Sequence, residues 1–292
     1  MIDLQGAIDV HVHAGPELFP RIGSSVEIAR RAAAAGMRGM VFKCHHEGTV
    51  SRAESVRESV PEFEAWGGIV LNGFVGGINP IAVAAQLDLG ARIVWMPTLH
   101  AKHHVSRVGA GTYGIPAMTV SSGATMLQGL TILDPDEALT AECIAVIDAV
   151  KEHDAVLATG HLGQAETAKL AEACNARGVR CLVTHVFFLG QTLEFLCSLA
   201  AMGAFLEISA APFMPMAHYL FSGGPSLGDA RTLVERVGAA RIVISSDCGQ
   251  LHNPWPSEAL LSFVRCLEEV GVDEDALRQM LCETPASLIG GR

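Results

Sequence analysis

Residues 7–13 read Ala7-Ile8-Asp9-Val10-His11-Val12-His13, an apolar, β-branched run interrupted at alternate positions by Asp or His. Side chains alternate faces along a strand, so His11 and His13 project to the same side of the sheet this segment joins. The rest of the chain says which sheet that is. Seven further short apolar runs follow, at 39–45, 68–75, 92–98, 155–161, 180–187, 204–209 and 241–247. Helical patterning follows each of them. Ser24 with Glu27 spells a capping box with Gly36 as a stop, and Ser51 with Glu54 spells a second box. Asn79-Pro80 reads as an N-cap followed by proline in the first turn, closed by Gly90, and Asp134-Pro135 with Glu137 repeats the pattern. Further helices are expected at about 163–177, 191–202, 226–237 and 257–270, with a last one at about 273–282. Eight βα units with near-continuous apolar strands predict a parallel sheet covered on both faces. At 292 residues they predict an α/β chain closed into one (β/α)8 TIM barrel spanning 1–292. A doubly wound open sheet is the alternative. The connection at 99–133 is too long for a simple turn and is expected to form a lid over the barrel mouth.

Composition narrows the classes. Half of the residues are hydrophobic and 17% are charged, which excludes a disordered chain. A net charge of −11 argues against a nucleic-acid footprint, which needs clustered Lys and Arg. The eight cysteines are scattered and form no CxxC pair, which fits free thiols in a reducing, cytoplasmic setting better than a disulfide framework. No uncharged apolar run approaches about 18 residues and the start shows no signal-peptide pattern, so no membrane partner is expected. A small-molecule substrate is the expected partner, and a homo-oligomer is allowed.

In such a barrel the chemistry gathers at the C-terminal strand ends. Five of the eight expected ends carry ligand-type side chains: His11 and His13, then Lys43 and His45, then His161, His185 and Asp247. Any one of them alone is unremarkable as a core histidine or a helix cap. Together they predict a divalent metal site of one or two ions per chain, and imidazole with carboxylate suits Zn most, with Mn, Fe or Co as alternatives. Lys43 shares parity with His45 and is read as facing the lumen, where burial lowers its pKa. It is open as a base, a Schiff-base amine, a metal-bridging carbamate, or simply the partner of a lumen acid such as Asp9 or Glu207.

With these residues in view, the chain resembles the amidohydrolase superfamily of metal-dependent TIM-barrel enzymes, in a compact form without the N-terminal β-sandwich. The resemblance rests on Asp9-Val10-His11-Val12-His13, His161, His185 and Asp247, with a weaker echo in Glu283-Thr284-Pro285-Ala286-Ser287-Leu288-Ile289-Gly290. It implies that His11, His13 and Asp247 hold one metal and that His161 and His185 hold a second or assist catalysis. It further implies that Asp247 is the general base toward metal-activated water. One departure stands out. The fourth strand ends Trp95-Met96-Pro97-Thr98, with no bridging Lys or Glu, so either Lys43 bridges two ions or the site holds one.

The expected activity is hydrolysis of a C–N or C–O bond in a small molecule such as a cyclic amide or lactone. The catalytic candidates are Asp247, His185 and Lys43. Candidate substrate contacts are Arg21, His45, His100, His104 and His252, with Glu17, His103, Tyr113 and His218 nearby at the rim. A metal-dependent decarboxylase or other lyase on an unsaturated or aromatic acid is the rival reaction, and a catalytically silent binding barrel is the rival class.

Overall fold

The computed structural model describes residues 1–120, 128–188, 190–214 and 225–290. Strand β1 (Ile8–His13) pairs in parallel with β2 (Gly39–Lys43), and β2 pairs with β3 (Glu64–Trp66). A second parallel run follows the chain in order: β4 (Gly68–Val70), β5 (Ile93–Trp95), β6 (Val156–Ala158), β7 (Arg180–Val183), β8 (Phe205–Ser209) and β9 (Ile242–Ser245). Only Gly67 separates β3 from β4, so the two act as halves of one barrel strand. Thr49 stitches the two runs, since its hydroxyl donates to Phe42 O at 2.6 Å and accepts from Gly68 N at 2.8 Å.

The ring closes just past β9. Asp247 N donates to His11 O at 3.0 Å, and His13 N donates to Cys248 O at 2.9 Å. Gly249 makes that approach possible. It has φ +128°, and a Cβ there would stand 1.8 Å from His13 O. The expected eight-stranded parallel barrel is therefore the observed one, with the third strand beginning earlier than its apolar run at 68–75 suggests.

Helix α1 (Ser25–Ala34) carries the Ser24–Glu27 capping box, and α3 (Pro80–Asp88) is capped by Asn79 Oδ1, which accepts from Ile81 N and Ala82 N. Two expected caps fall elsewhere. Helix α2 (Val50–Ser59) starts after Thr49, so Ser51 lies inside the helix and makes no box with Glu54. Asp134 Oδ1 accepts from Asp136 N and Ala138 N, closing a turn that leaves Glu137 at φ +61°. Helix α5 (Ala141–Glu152) starts only after Thr140, whose hydroxyl caps Cys143 N. An Asx turn competes with a helix start in sequence, and here the turn wins. Before α5, the 99–133 connection holds a short helix, α4 (Lys102–Arg107). The remaining helices are α6 (Gln164–Arg177), α7 (Leu193–Ala201), α8 (Leu227–Val237), α9 (Pro256–Glu269) and α10 (Glu274–Arg278), with α11 (Thr284–Leu288) at the end.

Two apolar layers hold this together. One fills the space between strands and helices. The other lies inside the barrel and joins Ile8, Val10, Val41, Val70, Ile93, Trp95, Val156 and Val243 to Leu288 and Ile289 of the C-terminal segment, which plugs one end. Each such aliphatic side chain contributes about 1.5–3 kcal/mol by leaving water. Along β1 the alternation slips. Ile8 and Val10 face the barrel interior, Val12 belongs to the outer layer, and the pairing with β2 shifts register between Asp9 and Val12. This bulge carries His11 and His13 onto the interior side above Val10, and re-aiming side chains near sites is a common use of bulges.

Candidate metal centre

The chain leaves the strands by sharp turns that fix the polar side chains. His185 and Asp247 hold φ +30° and +49°, a region that ordinary residues rarely occupy. Such strain persists where the surroundings enforce it, often at functional sites. The hydrogen-bonded ladder of β6 ends at Ala158, and Gly160 at φ +57° passes so close to Met96 O that a Cβ would sit 2.3 Å away, which brings His161 to the mouth.

His11 Nε2 lies 3.0 Å from Asp247 Oδ1 and His13 Nε2 lies 3.4 Å from the same oxygen. One ligand atom from each of His11, His13 and Asp247 falls within 4.8 Å of the others. Two imidazole nitrogens and one carboxylate oxygen at that spacing fit a divalent ion. Behind His11, the buried Glu207 fixes the ring. Its Oε1 lies 2.6 Å from His11 Nδ1 and accepts from Ser245 Oγ at 2.5 Å, while its Oε2 accepts from His185 N. Burial raises a carboxyl pKa, but His11 and the hydrogen bonds outweigh it and hold Glu207 down at about 2. With Nδ1–H given to Glu207, the His11 Nε2 lone pair is left for a metal. Burial also works against charge on His11, yet Asp247 and Glu207, opposed by Lys43, lift it to about 9, so an ion would take the place of the Nε2 proton held toward Asp247.

His13 Nδ1 has two neighbours with opposite demands. Arg21 Nη2, at 3.1 Å, asks for its lone pair, and Glu17 Oε2, at 3.4 Å, asks for its proton. Metal binding through Nε2 needs the second arrangement. Glu17 is buried, which favours the neutral acid, but Arg21 and His45 prevail and hold its carboxyl well below the usual range.

Lys43 faces the interior, in register with His13, and its Nζ lies 2.9 Å from His11 Nε2. Burial lowers its pKa. The expected partners are otherwise engaged: Asp9 Oδ1 accepts from His11 N and Ser246 N, and Glu207 serves His11 and Ser245. The β1 bulge is what takes Asp9 away from Lys43. Where the fourth barrel strand lacks a bridging ligand, Trp95 fills the space, with Lys43 Nζ 5.6 Å from its ring centre.

His161 and His185 stand beside the three-ligand cluster rather than in it. Their ring centres are 4.8 Å apart, and His185 is 5.9 Å from His11. His104, from α4, reaches His161 with Nδ1 to Nδ1 at 2.8 Å, while its Nε2 lies 2.9 Å from Thr112 O. A carbonyl only accepts, so His104 Nε2 carries a proton and its Nδ1 offers a lone pair. His161 must then donate from Nδ1, leaving its Nε2 lone pair for a ligand. Neutral forms suit both rings, since burial pushes His104 to about 4 and His161 well below the ordinary range.

The other substrate-contact candidates divide. His45 stacks on His13 at 4.9 Å, with Nδ1 on Thr98 Oγ1 and Nε2 3.3 Å from Tyr113 OH. Asn72 Nδ2 donates to the same Thr98 oxygen, which anchors it between the two side chains. Arg21 is buried against Glu17 and His13. His100 instead accepts from Gly73 N and packs on Phe74, and His252 is exposed at the rim. His103 is half-buried. His218 and the 121–127 part of the 99–133 connection lie outside the described residues. Glu207, Glu17 and Tyr113 stand closer to the cluster than their sequence context suggests. A lone carboxylate inside Phe205-Leu206-Glu207-Ile208-Ser209, a strand apolar on both faces, was the available signal for Glu207.

Comparison with known proteins bears on the fold. Solved structures with similar folds include an amidohydrolase from Pseudomonas aeruginosa at 15% identity, covering 98% of this chain and 95% of that one with a TM-score of 0.58. An organophosphorus hydrolase from Deinococcus radiodurans matches at 14% identity over 98% of this chain and 92% of its own, TM-score 0.62. A mutant of a PTE-like lactonase from the same organism matches at 13% over 99% and 98%, TM-score 0.63. The resemblance to the amidohydrolase barrel thus holds at the level of fold. No curated protein matches the sequence. The model of a family of unknown function, DUF6282, matches residues 6–207. That span carries β1 to β7, the start of β8 and every candidate ligand except Asp247, and the chain belongs to the DUF6282 family.

Proposed function

We propose that this protein is a metal-dependent hydrolase that cleaves an ester, lactone or amide bond in a small molecule. The observation that carries the reading is the convergence of His11 Nε2, His13 Nε2 and Asp247 Oδ1 at the mouth of a barrel whose structural neighbours are hydrolases. A divalent ion held there supplies Lewis-acid activation of water and of the scissile carbonyl. Zn suits two imidazoles and a carboxylate best, and Mn, Fe or Co would take the same set.

The chain's own groups do the rest. Glu207 holds the His11 ring with Nε2 outward, and Glu17 does the same for His13. Asp247, kept ionised against the opposing effect of burial by His11 and His13, accepts the proton of the attacking water. His185 and His161 face the same space with neutral rings and would ligate a second ion or relay to the leaving group the proton that Asp247 accepts. Lys43, as a carbamate, would be the bridge to that second ion. The described residues of the 99–133 connection would act as a lid, a reading supported by Tyr113 and His104 reaching from them to His45 and His161.

The test is a panel of lactones, esters and cyclic amides assayed with metal-loaded protein, with and without a chelator. Hydrolysis that chelation abolishes and metal restores is expected, together with a loss of about 10²-fold or more in kcat for Asp247→Asn. Full activity in the chelated protein would overturn the reading, and CO₂ released from an unsaturated or aromatic acid would move the reaction to a lyase. Intact-mass detection of a Lys43 carbamate with two ions per chain supports the bridge, and one ion with unmodified Lys43 ends it.

A further inference from the structure

Arg21 keeps a donor that the fold does not use. Its side chain is 2% exposed. Nε donates to Glu17 Oε2, and Nη2 pairs with Glu17 and stands 3.1 Å from His13 Nδ1. Nη1 is buried and meets no hydrogen-bond partner among the described residues. Buried polar groups are nearly always paired, and a charged donor left without an acceptor is among the least favourable exceptions. The guanidinium is also fixed in place, since Glu17 holds one edge and Phe19 lies beneath it, 5.9 Å from Cζ to ring centre. A rigid cation with one free N–H₂ group, one imidazole away from the candidate metal, is a receptor for an oxyanion.

The charges around it select the kind of anion. Glu17 already balances Arg21, and Asp247 stands on the far side of His13. A second full negative charge would meet these carboxylates at close range, so a monoanion fits and a phosphate dianion does not. We propose that the substrate carries a carboxylate apart from the bond that is cleaved, and that Arg21 Nη1 receives it, making this site selective for acids over their neutral analogues. The proposal deepens the hydrolase reading and rests on it for the placing of the scissile bond beside the metal. The recognition itself is the chain's own and does not need the ion.

The experiment measures binding of tetrahydrofuran-2-carboxylate, tetrahydrofuran-2-carboxamide and inorganic phosphate to wild type, Arg21→Gln and Arg21→Lys. It uses calorimetry, in metal-loaded and metal-free protein, with metal per chain counted alongside. The carboxylate is expected to bind wild type at least tenfold more tightly than the amide in both forms, with phosphate no better than the amide. Both variants should lose that preference while keeping the wild-type metal count. Equal binding of acid and amide by wild type overturns the proposal and needs no variant. So does an acid preference that survives in Arg21→Gln, or one present only with metal bound, because the ion would then be the receptor. Tighter binding of phosphate overturns the choice of carboxylate. A protein that takes up no metal but still prefers the acid would end the hydrolase reading and leave this one standing.

Discussion

The proton on each imidazole decides whether its other nitrogen can hold a metal. His11 gives its Nδ1 proton to Glu207, and His161 gives its own to His104, a chain that ends on Thr112 O. Partners of this kind tune metal affinity by about 10- to 100-fold. Glu207→Gln, with the fold checked by circular dichroism, should weaken metal binding by that range in a competition assay with a chromogenic chelator. Unchanged affinity would mean that Glu207 serves only the strand. For His104 the prediction is spectroscopic: nitrogen-15 shifts should show the Nδ1–H form of His161 in wild type and in His104→Gln, whose amide oxygen can still accept. His104→Phe should lose it. The same logic explains what the sequence concealed at this scale. His11, His13, His161, His185 and Asp247 were legible because ligand-type residues at strand ends stand out from apolar runs. Glu17 was legible only as a rim acid and His104 only as a substrate contact, because a loop acid and one histidine among three in His100–His104 show no sign of the imidazoles they hold until the fold buries them.

At the scale of elements, β1 and the segment after β9 carry the site between them. The bulge in β1 rotates His11 and His13 inward, and Gly249 lets the closing segment pass against His13 O. Gly249→Ala should therefore destabilise the protein by about 3 kcal/mol or more, since the new methyl must displace backbone. Urea unfolding would measure this, and a change under about 1 kcal/mol would show that the closure yields easily. Periodicity located all eight barrel strands, because a strand buried on both faces reads as a continuous apolar run. Strict alternation puts Asp9 on the lumen face with His11, which the fold does not, because a bulge leaves no mark in composition. Periodicity likewise missed Glu64–Trp66, whose leading Glu64 is exposed and breaks the apolar run.

For the whole molecule, the barrel is a rigid frame plugged at one end by Leu288 and Ile289 and lined with ligands at the other. Truncating the plug with Leu288→Ala should cost about 2–5 kcal/mol without altering metal stoichiometry, because the two ends are separated by the packed interior. Metal should stabilise the folded chain by mass action, by about 4 kcal/mol at a thousandfold excess over Kd. The most direct measurement is a titration of metal-stripped protein with Zn²⁺, comparing wild type with His13→Ala and Asp247→Ala, each shown to be folded. The account predicts a saturable site of at least one ion per chain in wild type, lost or weakened by orders of magnitude in both variants. A wild type that takes up no ion, or variants that bind as tightly as wild type, would contradict it.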